Sequence, residues 1–417
     1  MRTVSLREHQ TASVGDLSTN CLTVNEIESL DRAQRAVGVE AFHWTSRNQV
    51  KAAQYVGMVA AAAVRLEILP KIEGLGLGET RRALISMIGI AWGVPVRDGE
   101  VTGHDFQNFD LLELLIGLFA RRLQEQVRAG ISRAYCRHEN DLSCLRGKMA
   151  VTRQFTKLAA SPQKLACRYD EFTADTGLNR LLLCAVEFLR QRSGSAGTQR
   201  LLNEIAAHFA DVQMASVSDV LAGAITIDRV NQRWEILARL ARQLLSHVYQ
   251  TTHSGERDGI ALLFDMNLLF EGYVAALARK VCSPLGYKVR AQGPQRCLAR
   301  NEVGRSAFHT RPDLHFECGD DVVVLDTKWK HVDPSRPNFD VAQADAYQMY
   351  GYARVYKSRA TILLYPHHES IRGQSGLQTL WRFEFGDAVL ILATIDVTKP
   401  DDFAASLSRL LVSPVEG

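Results

Sequence analysis

The sequence is poor in long apolar runs. None reaches the roughly 18 uncharged residues of a membrane helix; the nearest, Gly57 to Val64, stops at Arg65. The opening MRTVSLREHQTASV has no apolar stretch of the kind a secretory signal carries. Its eight cysteines are scattered and never form C-x-x-C, which argues against a disulfide framework or a zinc ribbon and fits a reducing cytoplasm. An excess of one charge is missing too. A net charge of +3 gives no global field to draw in nucleic acid, so any grip on DNA must come from local patches. There is no G-x-x-x-x-G-K-[ST]. GLGLGET, Gly74 to Thr80, is glycine-rich but has no lysine to hold a phosphate, so no nucleotide is expected on this chain. Repeats, low-complexity tracts, helix-turn-helix and zinc-finger signatures are also absent, and the chain is not expected to select a DNA sequence.

What is present is ordinary in bulk. The 417 residues are 46% hydrophobic and 23% charged, enough for a large core, and suggest two to four domains at about 150 residues each. Three segments are expected. Residues 1–110 contain strands: in AAVRLEILPKI, Val64, Leu66 and Ile68 alternate with Arg65 and Glu67, the period of a half-buried strand. Residues 111–254 read as mostly helical, with SGSAG (Ser193 to Gly197) as a flexible connector and DEFTADTGLNR (Asp170 to Arg180) as an acidic loop entering a helix. A composition break at TTHSGERDG introduces residues 255–417, an α/β domain. Its expected order is a helix from Asp265, three strands, a helix over Val341 to Tyr356 and a further strand. Asp340 and Gln343 offer that second helix a capping-box-like start.

The informative stretch is RPDLHFECGDDVVVLDTKWK, Arg311 to Lys330. Gly319 and Asp320 suit the two-residue loop of a type II′ hairpin. In that register Asp313 faces Asp326, with Cβ atoms about 4.5–5.5 Å apart, and Lys328 shares their face. The bland alternative is a pair of surface acids with a lysine nearby. Two carboxylates about 4 Å apart repel by about 4 kcal/mol at an effective dielectric of about 20, while an exposed ion pair returns only about 0–1 kcal/mol. Val322 to Leu325 make the second strand apolar, so water cannot relieve the repulsion and a divalent cation can. The acids offer oxygen donors, which favour Mg²⁺ or Mn²⁺ over Zn²⁺.

Two further groups join this set. Glu271 lies in FDMNLLFEGYVAALARKV beside an apolar stripe, where it is either a solvated edge residue or aimed at something. Gln348 and Tyr352, in DAYQMYGYARVY, share one helix face at i,i+4, as they would in any amphipathic helix.

Taken together, the PD and DTK residues, the element order and Q-x-x-x-Y resemble the PD-(D/E)xK nuclease pattern with an αβββαβ core and a mixed sheet. MNLLFEGYV, DAYQMYGYA, RLEILPKI, LRGKM and YDEFTADTGLNRLL extend the likeness, which is to the McrC family, over most of residues 64–365. That resemblance implies a Mg²⁺-dependent endodeoxyribonuclease in a 5-methylcytosine-directed restriction system. It implies an McrB-like AAA+ GTPase hexamer as partner, contacted through the N-terminal region, with GTP bound there and modified double-stranded DNA as substrate. It assigns Asp313, Asp326 and Glu271, with the Thr327 backbone carbonyl, to the metal, Lys328 to the attacking water or to the pentacovalent phosphate, and Gln348 and Tyr352 to positioning. A stand-alone nuclease and a silent activator of an AAA+ partner are the rival readings. Arg311, Lys330, Arg336, Arg354 and Lys357 lie close by in sequence for DNA contact. A second basic run, Arg121, Arg122, Arg128, Arg133 and Arg137, is either a DNA contact or a solvated helix face.

Overall fold

The computed structural model describes residues 2–15, 21–36, 38–61, 64–97, 99–161, 163–249, 259–371 and 373–412. In chain order they form β1 (Arg2–Arg7), β2 (Thr11–Ser13), α1 (Val24–Ala36), β3 (Phe42–Ser46), β4 (Gln49–Ala52), β5 (Tyr55–Ala61), β6 (Val64–Leu69), α2 (Leu77–Ala91) and α3 (Gly103–Asn108). Next come α4 (Leu111–Arg128), β7 (Ala134–Leu142), β8 (Lys148–Met149), α5 (Val151–Thr156), β9 (Leu165–Thr173), α6 (Gly177–Arg190), α7 (Ala196–Ala207), α8 (Val217–Ala222) and α9 (Glu235–Tyr249). The rest are β10 (Gly259–Asp265), α10 (Met266–Cys282), β11 (Lys288–Ala291), β12 (Arg296–Arg300), β13 (Ser306–Thr310), β14 (Leu314–Cys318), β15 (Asp321–Thr327), α11 (Gln343–Tyr356), β16 (Ala360–Pro366), β17 (Gly376–Arg382), β18 (Val389–Ile395) and α12 (Pro400–Val412). None of the described helices is long and apolar enough to cross a membrane.

There are two compact units, one made of Met1–Leu111 with Thr251–Gly417 and the other of Leu112–Gln250. The first and last of the three expected segments therefore share a unit. The expected break, TTHSGERDG, lies outside the described residues apart from Gly259.

The larger unit has two principal sheets. In the first, β10 joins the N-terminal strands in the order β1-β6-β5-β10. Gly57 makes the β5–β10 pairing possible: at φ +132° it sits so close to β10 that a Cβ would lie 1.9 Å from the Leu262 carbonyl oxygen. β6 departs from the half-exposed expectation. Glu67 is fully buried, because Arg81 of α2 covers that face and grips both carboxylate oxygens (Nε–Oε1 2.9 Å, NH2–Oε2 2.7 Å). Helix α1 was not expected. Its buried stripe is only Ile27, Leu30 and Ala33, too thin to stand out in the sequence.

The second sheet has the order β11-β14-β15-β16-β18-β17 and is mixed: β15, β16 and β18 run parallel, and the other pairings are antiparallel. The helix, three strands, helix, strand order appears as α10, β11, β14, β15, α11 and β16, with the β12–β13 hairpin inserted and α12 added. The hairpin register is the expected one, Leu314 facing Leu325 and Cys318 facing Asp321. Gly319, the first loop residue, takes the positive φ (+62°) that the turn requires. Asp265 caps α10 as expected, accepting from the Asn267 N–H at 2.8 Å. The capping start proposed for α11 is not formed. Ala342 holds the N-cap, and Asp340 sits at φ +58° and pairs with Arg336 at 3.3 Å. Met349, Tyr352 and Tyr356 of α11 pack onto Val324, Leu363 and Leu392 of the sheet.

The smaller unit is helical but also holds a three-stranded sheet, β7-β9-β8. The expected acidic loop is partly strand: Asp170 and Glu171 belong to β9 and pair with Arg137 and Arg146. β7 is mostly exposed, and β9 buries only Ala166 and Cys167 at one end, so neither leaves an alternating apolar signal. SGSAG is tied down rather than loose, since Ser193 Oγ (2.8 Å) and the Gly194 N–H (2.8 Å) both donate to buried Glu113. In the second basic run Arg122 is buried and Arg137 is paired.

Candidate active site

The acids gather where β14, β15 and α10 meet. Pro312 has no N–H to give a ladder, so β14 starts only at Leu314 and Asp313 stands at its mouth. Asp313 Oδ2 accepts from the Thr327 N–H (2.8 Å) and Thr327 Oγ1 (2.6 Å). Asp326, the penultimate residue of β15, is 3% exposed. Lys328 Nζ lies 2.6 Å from Asp326 Oδ2 and 3.7 Å from Asp345 Oδ1. Glu271, half-buried on α10, accepts from Gln292 Nε2. Gln292 is itself held at φ +52°, its N–H bonded to the Asp313 carbonyl at 2.7 Å.

The electrostatics are strained. Burial, then the Asp313 charge, pushes Asp326 up to about 6 despite Lys328. Burial, then Asp313, pushes Glu271 up to about 7, with Asp326 adding to the effect. Burial alone would lower the Lys328 ammonium, but Asp326 and Asp345 outweigh it and hold the group above its ordinary value. Three carboxylates that repel one another in a half-dry site are chemically suited to a hard divalent cation. Each oxygen described above is turned to a protein donor, and no trio from this set has its ligand atoms all within 4.8 Å. Among the described residues the trio that does is Glu73, His331 and His368.

Gln348 and Tyr352 form a chain of bonds into the site. Lys328 Nζ donates to Gln348 Oε1 (3.1 Å), Gln348 Nε2 to the Tyr352 hydroxyl (2.9 Å), and that hydroxyl to the Arg311 carbonyl (3.1 Å), two residues before Asp313. One face of α11 thus links both strands of the hairpin.

Sequence reasoning missed four contributors. The Thr327 side chain orients Asp313. Asp345 pairs with Lys328 and, at 3.3 Å, with Lys330; its i,i+3,i+7 spacing to Gln348 and Tyr352 was a usable signal. Gln292 had none, being set by a loop conformation. Trp329 Nε1 donates to Glu8 Oε2 at 3.0 Å, a contact 321 positions apart in the chain. Of the nearby basic residues, Lys330 and Arg336 are engaged with Asp345 and with Asp333 and Asp340, while Arg311 donates to the Gln292 carbonyl.

Comparison with known proteins places the chain. Residues 50–366 match the family model described as McrBC 5-methylcytosine restriction system component. Among solved structures, the chain is similar to one from a half-complex of Thermococcus gammatolerans McrB AAA+ hexamers with bound McrC. The TM-score is 0.69 at 21% identity, over 98% of this chain and 100% of that one. A second, from the cryo-EM structure of the T. gammatolerans McrBC complex, has a TM-score of 0.51 at 23% identity, over 67% of this chain and 87% of that one. No curated protein matches.

Proposed function

Since this chain belongs to the McrBC 5-methylcytosine restriction system component family, we propose that it is the DNA-cleaving subunit of such a system, a Mg²⁺-dependent endodeoxyribonuclease. The observation that carries this reading is Asp326, buried between Asp313, Glu271 and Lys328 and pushed up to about 6. Lys328 alone does not balance three neighbouring carboxylates, so the cluster needs either a proton or a further cation, and at neutral pH a divalent cation serves better.

The donor chemistry suits the ion, and the carboxylates would turn from their present protein donors to hold it. Asp313, Asp326 and Glu271, with the Thr327 carbonyl, offer oxygen donors suited to Mg²⁺ or Mn²⁺. When bound, the ion supplies an acidified water and neutralises charge on the scissile phosphate. Lys328, kept charged by Asp326 and Asp345, stabilises the negative charge that builds on the phosphate. Gln348 and Tyr352 hold Lys328 and the Asp313 loop in register. In this reading residues 255–417 are a PD-(D/E)xK endonuclease domain, residues 111–254 a middle region, and residues 1–110 the region that meets the partner. The partner is an McrB-like AAA+ GTPase hexamer, by analogy with the McrB hexamers with bound McrC; it binds the GTP, and this chain stimulates its hydrolysis. Eight free cysteines fit a cytoplasmic setting.

The test is cleavage of methylated and unmethylated plasmid in Mg²⁺, with and without the AAA+ partner and GTP. Cleavage that needs methylation, partner and GTP is the expected result. Cleavage by the chain alone, indifferent to GTP, would instead identify a stand-alone nuclease. No cleavage, with partner hydrolysis still stimulated, would identify a silent activator.

A further inference from the structure

A second group of ligand chemistry lies past the ends of β15 and its parallel neighbour β16. His331 follows β15, His368 follows the adjacent parallel strand β16, and Glu73 comes from the loop between β6 and α2. One ligand atom from each lies within 4.8 Å of the other two. Glu73 Oε1 is 3.7 Å from His331 Nδ1, and Glu73 Oε2 is 3.7 Å from His368 Nδ1. The imidazole rings are 4.3 Å apart, centroid to centroid. We propose that Glu73, His331 and His368 bind a borderline transition-metal ion, Zn²⁺ in the first instance, which clips the β6–α2 loop to the end of the six-stranded sheet.

The tautomer at His368 supports this. His368 Nε2 lies 2.9 Å from the Val332 carbonyl oxygen, so Nε2 carries the proton and donates it. Nδ1 then keeps its lone pair and faces Glu73. A ligating histidine whose other nitrogen donates to a backbone carbonyl is the usual arrangement around zinc. Ser370 Oγ now donates to that Nδ1 at 2.5 Å, and an ion would displace this hydroxyl. Two nitrogens and one carboxylate, completed by a water, make a zinc donor set rather than a magnesium one. Tetrahedral ligands at about 2.0–2.1 Å stand roughly 3.3 Å apart. The two 3.7 Å contacts, one to each Glu73 oxygen, lie a few tenths of an ångström beyond that spacing, and the other ligand-atom separations, all within 4.8 Å, close as the half-exposed His331 side chain turns inward.

This site is independent of the nuclease reading, because it shares no residue with it. The test uses the full-length chain, stripped with chelator and titrated with Zn²⁺ by calorimetry, with Co²⁺ absorption reporting the ligand field. About one Zn²⁺ per chain and a raised melting temperature are expected, with a Co²⁺ spectrum of four-coordinate intensity. His331→Ala removes a half-exposed ring and Glu73→Gln keeps the shape; each should weaken Zn²⁺ at least about tenfold while the metal-free circular dichroism stays unchanged. Wild type that takes up no stoichiometric Zn²⁺ overturns the proposal. So does Zn²⁺ bound equally by wild type and both variants, which would place the ion elsewhere, for example on the cysteines.

Discussion

Two buried acids of the larger unit, Glu67 and Asp326, are handled in opposite ways. Glu67 is wholly enclosed and wholly satisfied. Arg81 grips both oxygens, Ser5 Oγ donates at 2.7 Å, and the Leu111 N–H donates at 3.2 Å. Asp326 is enclosed beside two further carboxylates, with Lys328 as its close cation. The first arrangement is complete as it stands and serves the fold. The second holds more negative charge than the protein balances, at a cost to stability that makes sense only if something else arrives. Burial alone does not mark a functional acid; incomplete compensation does.

Substitutions at the two acids should separate activity from stability. Asp326→Asn should reduce Mg²⁺-dependent cleavage by about 10³-fold or more, since several kcal/mol of transition-state stabilisation go with the ion. Its melting temperature should stay near that of wild type, because the change also relieves like-charge repulsion. Glu67→Ala should do the reverse. Leaving Arg81 buried and unpaired should cost about 3–5 kcal/mol in denaturant unfolding, with cleavage per folded molecule retained. If Glu67→Ala left stability intact, the contrast would collapse.

Smaller effects refine the picture. Gln348→Ala and Tyr352→Phe should each lower cleavage by about 10–100-fold without changing the need for Mg²⁺, as positioning residues do. Glu8 is an intermediate case. Its Oε2 accepts from Trp329 Nε1 and the Lys71 N–H, its Oε1 has no partner, and burial pushes it up to about 7. Between its ordinary value near 4.5 and about 7, the folded chain holds a proton that the unfolded chain has released. Glu8 therefore favours folding at low pH and loses that contribution as pH rises through about 7. Glu8→Gln keeps the acceptor and removes the titration, so the fall in melting temperature from pH 5 to pH 8 should be shallower than in wild type. An unchanged slope would mean that Glu8 does not titrate in that range.

Much of this was legible where the chemistry is local in sequence. A two-residue turn fixes a register, and that register sets Asp313 opposite Asp326 with Lys328 on the same face. Gln348 and Tyr352 were legible because a helix repeats every 3.6 residues. Elsewhere the signal is absent for physical reasons. Glu67 looks like a solvent-facing residue until α2 folds over it. Strand β9 carries charge on both faces, and β7 sets its charges opposite small and polar residues, so neither shows an apolar alternation. Glu8 meets Trp329, and Glu73 meets His331 and His368, only through tertiary contacts between the two ends of the chain, which no spacing rule reaches. The McrC-like motifs identified the family, and the fold agrees with it, but Thr327, Gln292 and Asp345 as supports of the site came only from the structure.

The most direct test of the central claim is single-turnover cleavage of methylated plasmid in Mg²⁺ by wild type and Asp326→Asn. Both proteins would be matched for folding by circular dichroism and assayed with the AAA+ partner and GTP. The account predicts cleavage by wild type and none by the variant, with partner GTP hydrolysis stimulated equally by both. Cleavage by Asp326→Asn at the wild-type rate would contradict it and remove the carboxylate cluster from the chemistry.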